Sequence, residues 1–187
     1  MKLDITLNVT PEMVAAAQAN DSFAKVGHLG THFDVMDQVF PLPFTELDGI
    51  VFDVSHVKDR DITLADIDVS RVQAGMFVAF CTGFLEEAGY GTVRYVSEHP
   101  QLADALLTEL VNRQVSIIGI DFAGVRRGRE HSYWDRTCAD HGVFIVENLC
   151  GLKALAEAAA DGHFTAHTYP MRFAEMTGLP CRVIADV

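Results

Sequence analysis

The chain has 187 residues, 49% of them hydrophobic, and a mean hydropathy of +0.17. A chain of this size buries about 70% of its unfolded surface, which excludes a disordered or fibrous protein. A formal net charge of −12 argues against nucleic acid or an anionic membrane as the main partner.

Lys2 to Val9 alternates polar and apolar residues and reads as a half-buried strand. Thr10-Pro11-Glu12 has the form of a helix start, with a hydroxyl N-cap, proline at N1 and a carboxylate in the first turn. That helix is expected to run to about Ala19 and stop at Asn20-Asp21. The proline-rich Phe40-Pro41-Leu42-Pro43 cannot be helical. Gly49 to Ser55 and Phe77 to Cys81 are apolar strands, and Leu102 to Arg113 is the clearest helix, with one apolar stripe. Val115 to Phe122 reads as a buried strand, Glu130 to His141 as a helix, Val143 to Glu147 as a short buried strand and Leu152 to Ala160 as a helix. Phe164 to Pro170 and Cys181 to Val187 close the chain as strands. Strands and helices alternate, so the class is α/β with a mixed sheet, and without repeats or linkers residues 1–187 form one domain.

No apolar run approaches the ~18 residues of a membrane span, and the N-terminus shows no charged-then-apolar signal, which favours the cytoplasm. Cys81, Cys138, Cys150 and Cys181 form no C-x-x-C pair, so reduced thiols are expected.

Two stretches concentrate chemistry. In Gly27-His28-Leu29-Gly30-Thr31-His32-Phe33-Asp34, two imidazoles and a carboxylate lie close together, the usual ligands of a catalytic first-row metal. Full extension would separate the His28 and His32 Cα atoms by about 13 Å and a helical turn by about 6 Å. The glycines disfavour the helix, so a bent loop or a strand kinked at Gly30 fits best, with His32 and Asp34 on one face. The bare pattern also fits two ordinary histidines in a glycine-rich turn. The second stretch holds His131, Asp135, Cys138, His141 and Glu147. On a helix, His131, Asp135 and Cys138 would share a face. Glu147 ends an apolar strand, where an ionised carboxylate needs a cation or donors; it is expected to be a ligand, the alternative being a strand cap or a pairing with Arg126, Arg127 or Arg129. Taken singly, His131, Asp135 and His141 suit a solvated or structural role, and Cys138 a small core residue.

Together these motifs resemble the putative cyclase family, which includes bacterial kynurenine formamidases and isatin hydrolase. The family's H-x-G-T-H-x-D-x-P-x-H is similar to residues 28–38 here, and its Gly-Ile-Asp, Glu-Asn-Leu and Gly-x-Pro-x-Arg segments resemble Gly119-Ile120-Asp121, Glu147-Asn148-Leu149 and Gly178-Leu179-Pro180-Cys181-Arg182. The resemblance implies a swivelling β/β/α fold, a homodimer or higher homo-oligomer, and one or two divalent ions, zinc or manganese, that activate water to hydrolyse a small amide, formamide or cyclic amide in the manner of an arylformamidase. It implies metal ligation by His28, His32, Asp34 and Glu147. Two positions depart from the pattern. Asp135 is the ungapped match to a later metal-binding histidine, with His131 nearby. Gln38 stands where the family carries a histidine implicated in acid/base work, and glutamine cannot exchange a proton near neutral pH; Gln38 and His131 are therefore the candidate catalytic positions, with His56 and Asp37 as other proton carriers. Phe33, Phe40 and Phe84 are candidate pocket walls. The rivals are a metal-containing binding protein without turnover and a metal-dependent cyclase or dehydratase.

Overall fold

The computed structural model describes residues 1–19 and 26–187. The strands are β1 (Lys2–Asp4), β2 (His32–Asp34), β3 (Glu46–Asp53), β4 (Phe77–Cys81), β5 (Ile117–Ile120), β6 (Phe144–Glu147), β7 (His163–Pro170) and β8 (Gly178–Asp186). The helices are α1 (Pro11–Ala19), α2 (Phe84–Ala88), α3 (Val93–Glu98), α4 (Asp104–Asn112), α5 (Arg129–Asp140) and α6 (Leu152–Ala158). The strand order β1-β8-β2-β6-β5-β4-β3-β7, with a further β7–β8 pairing, closes β2 to β8 into a seven-stranded ring. Strands β3, β4, β5 and β6 run parallel, and the remaining pairings are antiparallel. One side of β8 is shared end to end: Gly178 to Pro180 pair with β2, and Ile184 to Asp186 with β1.

The period-2 alternation of the strands sorts their side chains onto two buried faces. Phe33, Val51, Phe77, Ala79, Ile117, Phe144, Val146, Phe164, Ala166 and Val183 form one cluster, which fills the ring. Ile50, Phe52, Val78, Phe80, Ile118, Ile120 and Ile145 face outwards and pack against Leu106, Leu107 and Leu110 of α4 and Trp134 and Cys138 of α5. The result is a single-domain α/β fold with a mixed sheet, as the alternation in the sequence predicts.

The first predicted strand is shorter than expected. After Asp4 the regular pairing ends: Ile5 N–H still donates to Val183 O of β8 (3.1 Å), but Leu7 N–H donates to Thr31 Oγ1 (2.8 Å). Thr10 Oγ1 accepts from Met13 N–H (3.3 Å), as the N-cap reading requires. The predicted stop at Asn20-Asp21 lies outside the described residues. Leu42–Thr45 forms a 3-10 turn in the proline-rich connection. Helices α2 and α3 were not anticipated: each is under seven residues, and they stand by packing on each other, with Phe84 stacked on Tyr95 at 6.0 Å between centroids. All four cysteines are free. Among the described residues, no helix is long and apolar enough to cross a membrane.

Candidate metal centre

Strand β2 is only three residues long, yet it closes the ring between β6 and β8. Phe33 points inwards to the core, so His32 and Asp34 project from the outer face. Directly across the ladder from His32 is Glu147, the last residue of β6. Helix α5 lies over this seam and brings His131 and Asp135, one turn apart, down onto it. His28 reaches in from the loop before β2. Gly27 makes that approach possible: its φ is +95°, and a Cβ there would lie 1.8 Å from Gly178 O.

The six side chains form two adjoining groups whose ligand atoms all lie within 4.8 Å of one another inside each group: His28, His32 and Asp34, then His131, Asp135 and Glu147. Asp34 Oδ1 is 3.0 Å from His28 Nδ1 and 3.6 Å from His32 Nε2. Glu147 spans the groups, with Oε2 3.7 Å from His32 Nε2 and Oε1 3.7 Å from His131 Nε2. His131 Nε2 is 3.2 Å from Asp135 Oδ2. The Asp34, Asp135 and Glu147 side chains are almost wholly buried, while His28 and His131 retain 17% and 34% exposure and mark the open side.

Three observations test whether these residues fit a cation. Asp34 Oδ1 and Oδ2, Asp135 Oδ1 and Glu147 Oε1 are buried without a hydrogen-bond partner, a costly condition that a cation relieves. Among the described residues, no lysine or arginine forms an ion pair with any of the three carboxylates; Arg126 pairs with Asp61, Asp104 and Glu130, and Arg136, next to Asp135 in sequence, with Asp37 and Asp140. The imidazoles are also held from behind. His28 Nε2 is bonded to Thr177 Oγ1 (2.9 Å) and His32 Nδ1 to Gly30 O (2.9 Å), while His28 Nδ1 and His32 Nε2 face each other at 3.0 Å. These rear contacts aim His28 Nδ1 and His32 Nε2 at a common point. The donor set and its supports fit a divalent ion.

The electrostatics agree. The two imidazoles hold the Asp34 carboxyl below its ordinary value despite burial. Burial and the charge of Asp34 push Asp135 up to about 9 and raise Glu147 well above the carboxylate range. Burial lowers His131, favouring its neutral form.

Gln38 is exposed, and its side-chain bond is to Asp37 (3.4 Å), which pairs in turn with Arg136; among the described contacts none joins Gln38 to the cluster. His56 is exposed on the loop after β3, and His141 bonds the Thr137 carbonyl of its own helix (2.7 Å). Cys138 is a core residue. The three candidate wall residues pack with the cores instead: Phe33 is buried in the inner cluster, the half-buried Phe40 lies tilted against Phe33 and Phe144, and Phe84 belongs to the outer core. The i+1 position of Phe33 beside two cluster residues already dictates the opposite face. Sequence reasoning missed Thr177, Tyr95 and the side-chain role of Asn148, described below; none belongs to a local spacing pattern that could have flagged it.

A closed mixed ring with a His/carboxylate cluster between its outer wall and one helix defines an α/β protein of the swivelling β/β/α class, carrying a candidate metal centre. The family profile described as "Putative cyclase" matches residues 3–126. The chain therefore belongs to the putative cyclase family. Among solved structures it is similar to a potential metal-dependent hydrolase with cyclase activity (24% identity, TM-score 0.76, covering 99% of this chain and 96% of that one). It is also similar to a predicted metal-dependent hydrolase from Bacillus stearothermophilus (23%, 0.73, 99% and 97%). A third similar structure is isatin hydrolase A from Labrenzia aggregata bound to benzyl benzoate (16%, 0.73, 99% and 93%). At these identities the likeness establishes the fold. No curated protein matches the chain.

Proposed function

We propose that the protein is a metal-dependent hydrolase of a small amide, formamide or cyclic amide. The observation that carries the proposal is the convergence of four partnerless buried carboxylate oxygens on imidazole nitrogens held from behind. Similarity to isatin hydrolase A supports the substrate class. His28, His32 and Asp34 would hold one ion, zinc or manganese, and His131, Asp135 and Glu147 a second. Such an ion supplies Lewis acidity for a carbonyl and makes a water acidic enough to lose its proton near neutral pH.

This chain's own residues supply the rest. Asp34, between two imidazoles and ionised, gives the cluster its fixed negative charge. His131 is neutral and partly exposed at the open side; with only the first group holding an ion, it can take up a proton from a water or return one to a leaving amine. Gln38 does not fill that role from its exposed place on the loop. A homodimer or higher assembly is proposed on the exposed Val39, Leu42, Tyr169, Met171 and Phe173, and sizing by light scattering tests it.

The functional test is hydrolysis of isatin and N-formylkynurenine by manganese- or zinc-loaded protein, beside His32→Ala. Turnover that His32→Ala abolishes supports the proposal. Protein that binds the ion yet is inert to these and a wider amide panel overturns it and favours a binding protein, the alternative that the missing acid/base histidine at Gln38 suggests.

A further inference from the structure

Behind the cluster lies a buried polar network that the metal reading leaves unused. Asn148 follows Glu147 directly and sits at φ +59°, a left-handed conformation that asparagine tolerates better than most residues. Its carboxamide has defined partners at both ends: Oδ1 accepts from Tyr95 O–H (2.6 Å), and Nδ2 donates to Gly30 O (2.9 Å). The opposite amide orientation would place two acceptors against each other at Gly30 O and remove the acceptor from Tyr95. Burial pushes the Tyr95 phenol up, so it keeps its proton and donates. Gly30 is held through the preceding peptide as well, its N–H donating to the Tyr90 hydroxyl oxygen (2.9 Å).

Gly30 O is also the partner of His32 Nδ1 at 2.9 Å. A carbonyl oxygen only accepts, so Nδ1 carries the proton. Asn148 Nδ2, 3.4 Å from the same nitrogen, is a donor and reinforces the assignment, because the two N–H groups share the one carbonyl. The remaining nitrogen, Nε2, is the one that faces Asp34 and Glu147.

We propose that Asn148, anchored by Tyr95, is a positioning residue that fixes the Gly30 carbonyl and thereby the tautomer of His32, so that the imidazole is committed as a ligand before any ion arrives. The proposal rests on the metal reading of the cluster for its purpose, but not for its test. Long-range 15N–1H correlation spectra of histidine-labelled, ion-free protein near pH 8 report the tautomer directly. Wild type should show His32 protonated at Nδ1. Asn148→Gly removes the carboxamide while tolerating the positive φ, and should give a mixture of tautomers at His32 while His28, held by Thr177, is unchanged. Zinc affinity, read by competition with a chromophoric chelator, should fall about 10- to 100-fold, the usual effect of removing a group that orients a ligand. Tyr95→Phe should move both readouts in the same sense and by less. A wild-type His32 protonated at Nε2 overturns the proposal. So does Asn148→Gly with an unchanged tautomer and zinc affinity within twofold; if that variant fails to fold, the same null result in Tyr95→Phe does so. Wild type that binds neither zinc nor manganese refutes the metal reading alone, since the tautomer comparison still decides the role of Asn148.

Discussion

Asp135 shares the second group with His131 and Glu147, and replacing it with asparagine separates a ligand from a structural partner. Its carboxylate is buried, Oδ2 lies 3.2 Å from His131 Nε2, and Oδ1 has no hydrogen-bond partner. Burial and Asp34 push the group up to about 9, so in ion-free protein at pH 7 it carries a proton. Asparagine copies that neutral state, and ion-free Asp135→Asn should melt close to wild type. The ion-bound states should differ. A ligand present at one hundred times its Kd stabilises the folded state by about 2.7 kcal/mol. For a chain of 187 residues that raises Tm by roughly 5–11 °C. Losing an anionic ligand should weaken binding at least tenfold, leaving about 1.4 kcal/mol at the same ion concentration, or about 0.4 after a hundredfold loss. Thermal unfolding followed by tryptophan fluorescence, with chelator and then with Mn(II) or Zn(II), measures both quantities. An undiminished ion shift in the variant would refute the ligand role. A large drop in Tm in chelator would show that Asp135 serves the fold through His131.

Other expectations follow from particular contacts. Burial holds His99 down to about 4, its ring stacked on Phe122. A folded-state value below the ordinary 6.5 means that stability is present above pH 6.5 and lost as pH falls towards 4. The advantage of wild type over His99→Gln, from urea unfolding, should shrink by about 2–3 kcal/mol between pH 7.5 and 4.5; an unchanged difference would show that His99 is not held neutral. Gly178→Ala places a Cβ 2.8 Å from His28 Cδ2 and 2.9 Å from the Gly27 carbonyl carbon, so it should cost about 1–3 kcal/mol and weaken zinc binding in titration calorimetry. Wild-type affinity in that variant would show that His28 is not held by this packing.

What the sequence makes legible is what has a short period. The apolar run at Phe77–Cys81 matches β4 end for end, because a strand buried on both faces needs nothing but length and apolarity. His32 and Asp34 share a face through their i, i+2 spacing, and His131 and Asp135 through i, i+4. Their meeting is a different matter. It depends on β2 lying antiparallel to β6, which sets His32 opposite Glu147 across 115 positions of sequence, and no local pattern encodes that pairing. The Tyr95–Asn148 and Asn148–Gly30 bonds span 53 and 118 residues, and were invisible for the same reason. Gln38 shows the converse limit: a motif position can be matched residue by residue while its side chain lies outside the constellation, because the loop after Asp34 turns away at Met36, whose φ is +56°.

The same short strand both closes the ring and carries the cluster, and this sets how ion binding and folding are coupled. His32 and Asp34 are fixed by backbone pairing to β6 on one side and β8 on the other, and Phe33 between them is anchored in the ring's core. Forming the ring therefore forms one half of the site. The other half rides on α5, whose inner face is secured by Trp134 and Cys138, with Trp134 Nε1 donating to Asp104 on α4 (3.0 Å). Both halves are positioned by backbone pairing and core packing, unlike small metal domains in which binding energy is folding energy. The cost of gathering three carboxylates in a poorly hydrated seam is carried by the two packed cores on either side of the sheet. A cation then meets donors already gathered, and its binding displaces the proton that burial leaves on Asp135 at neutral pH.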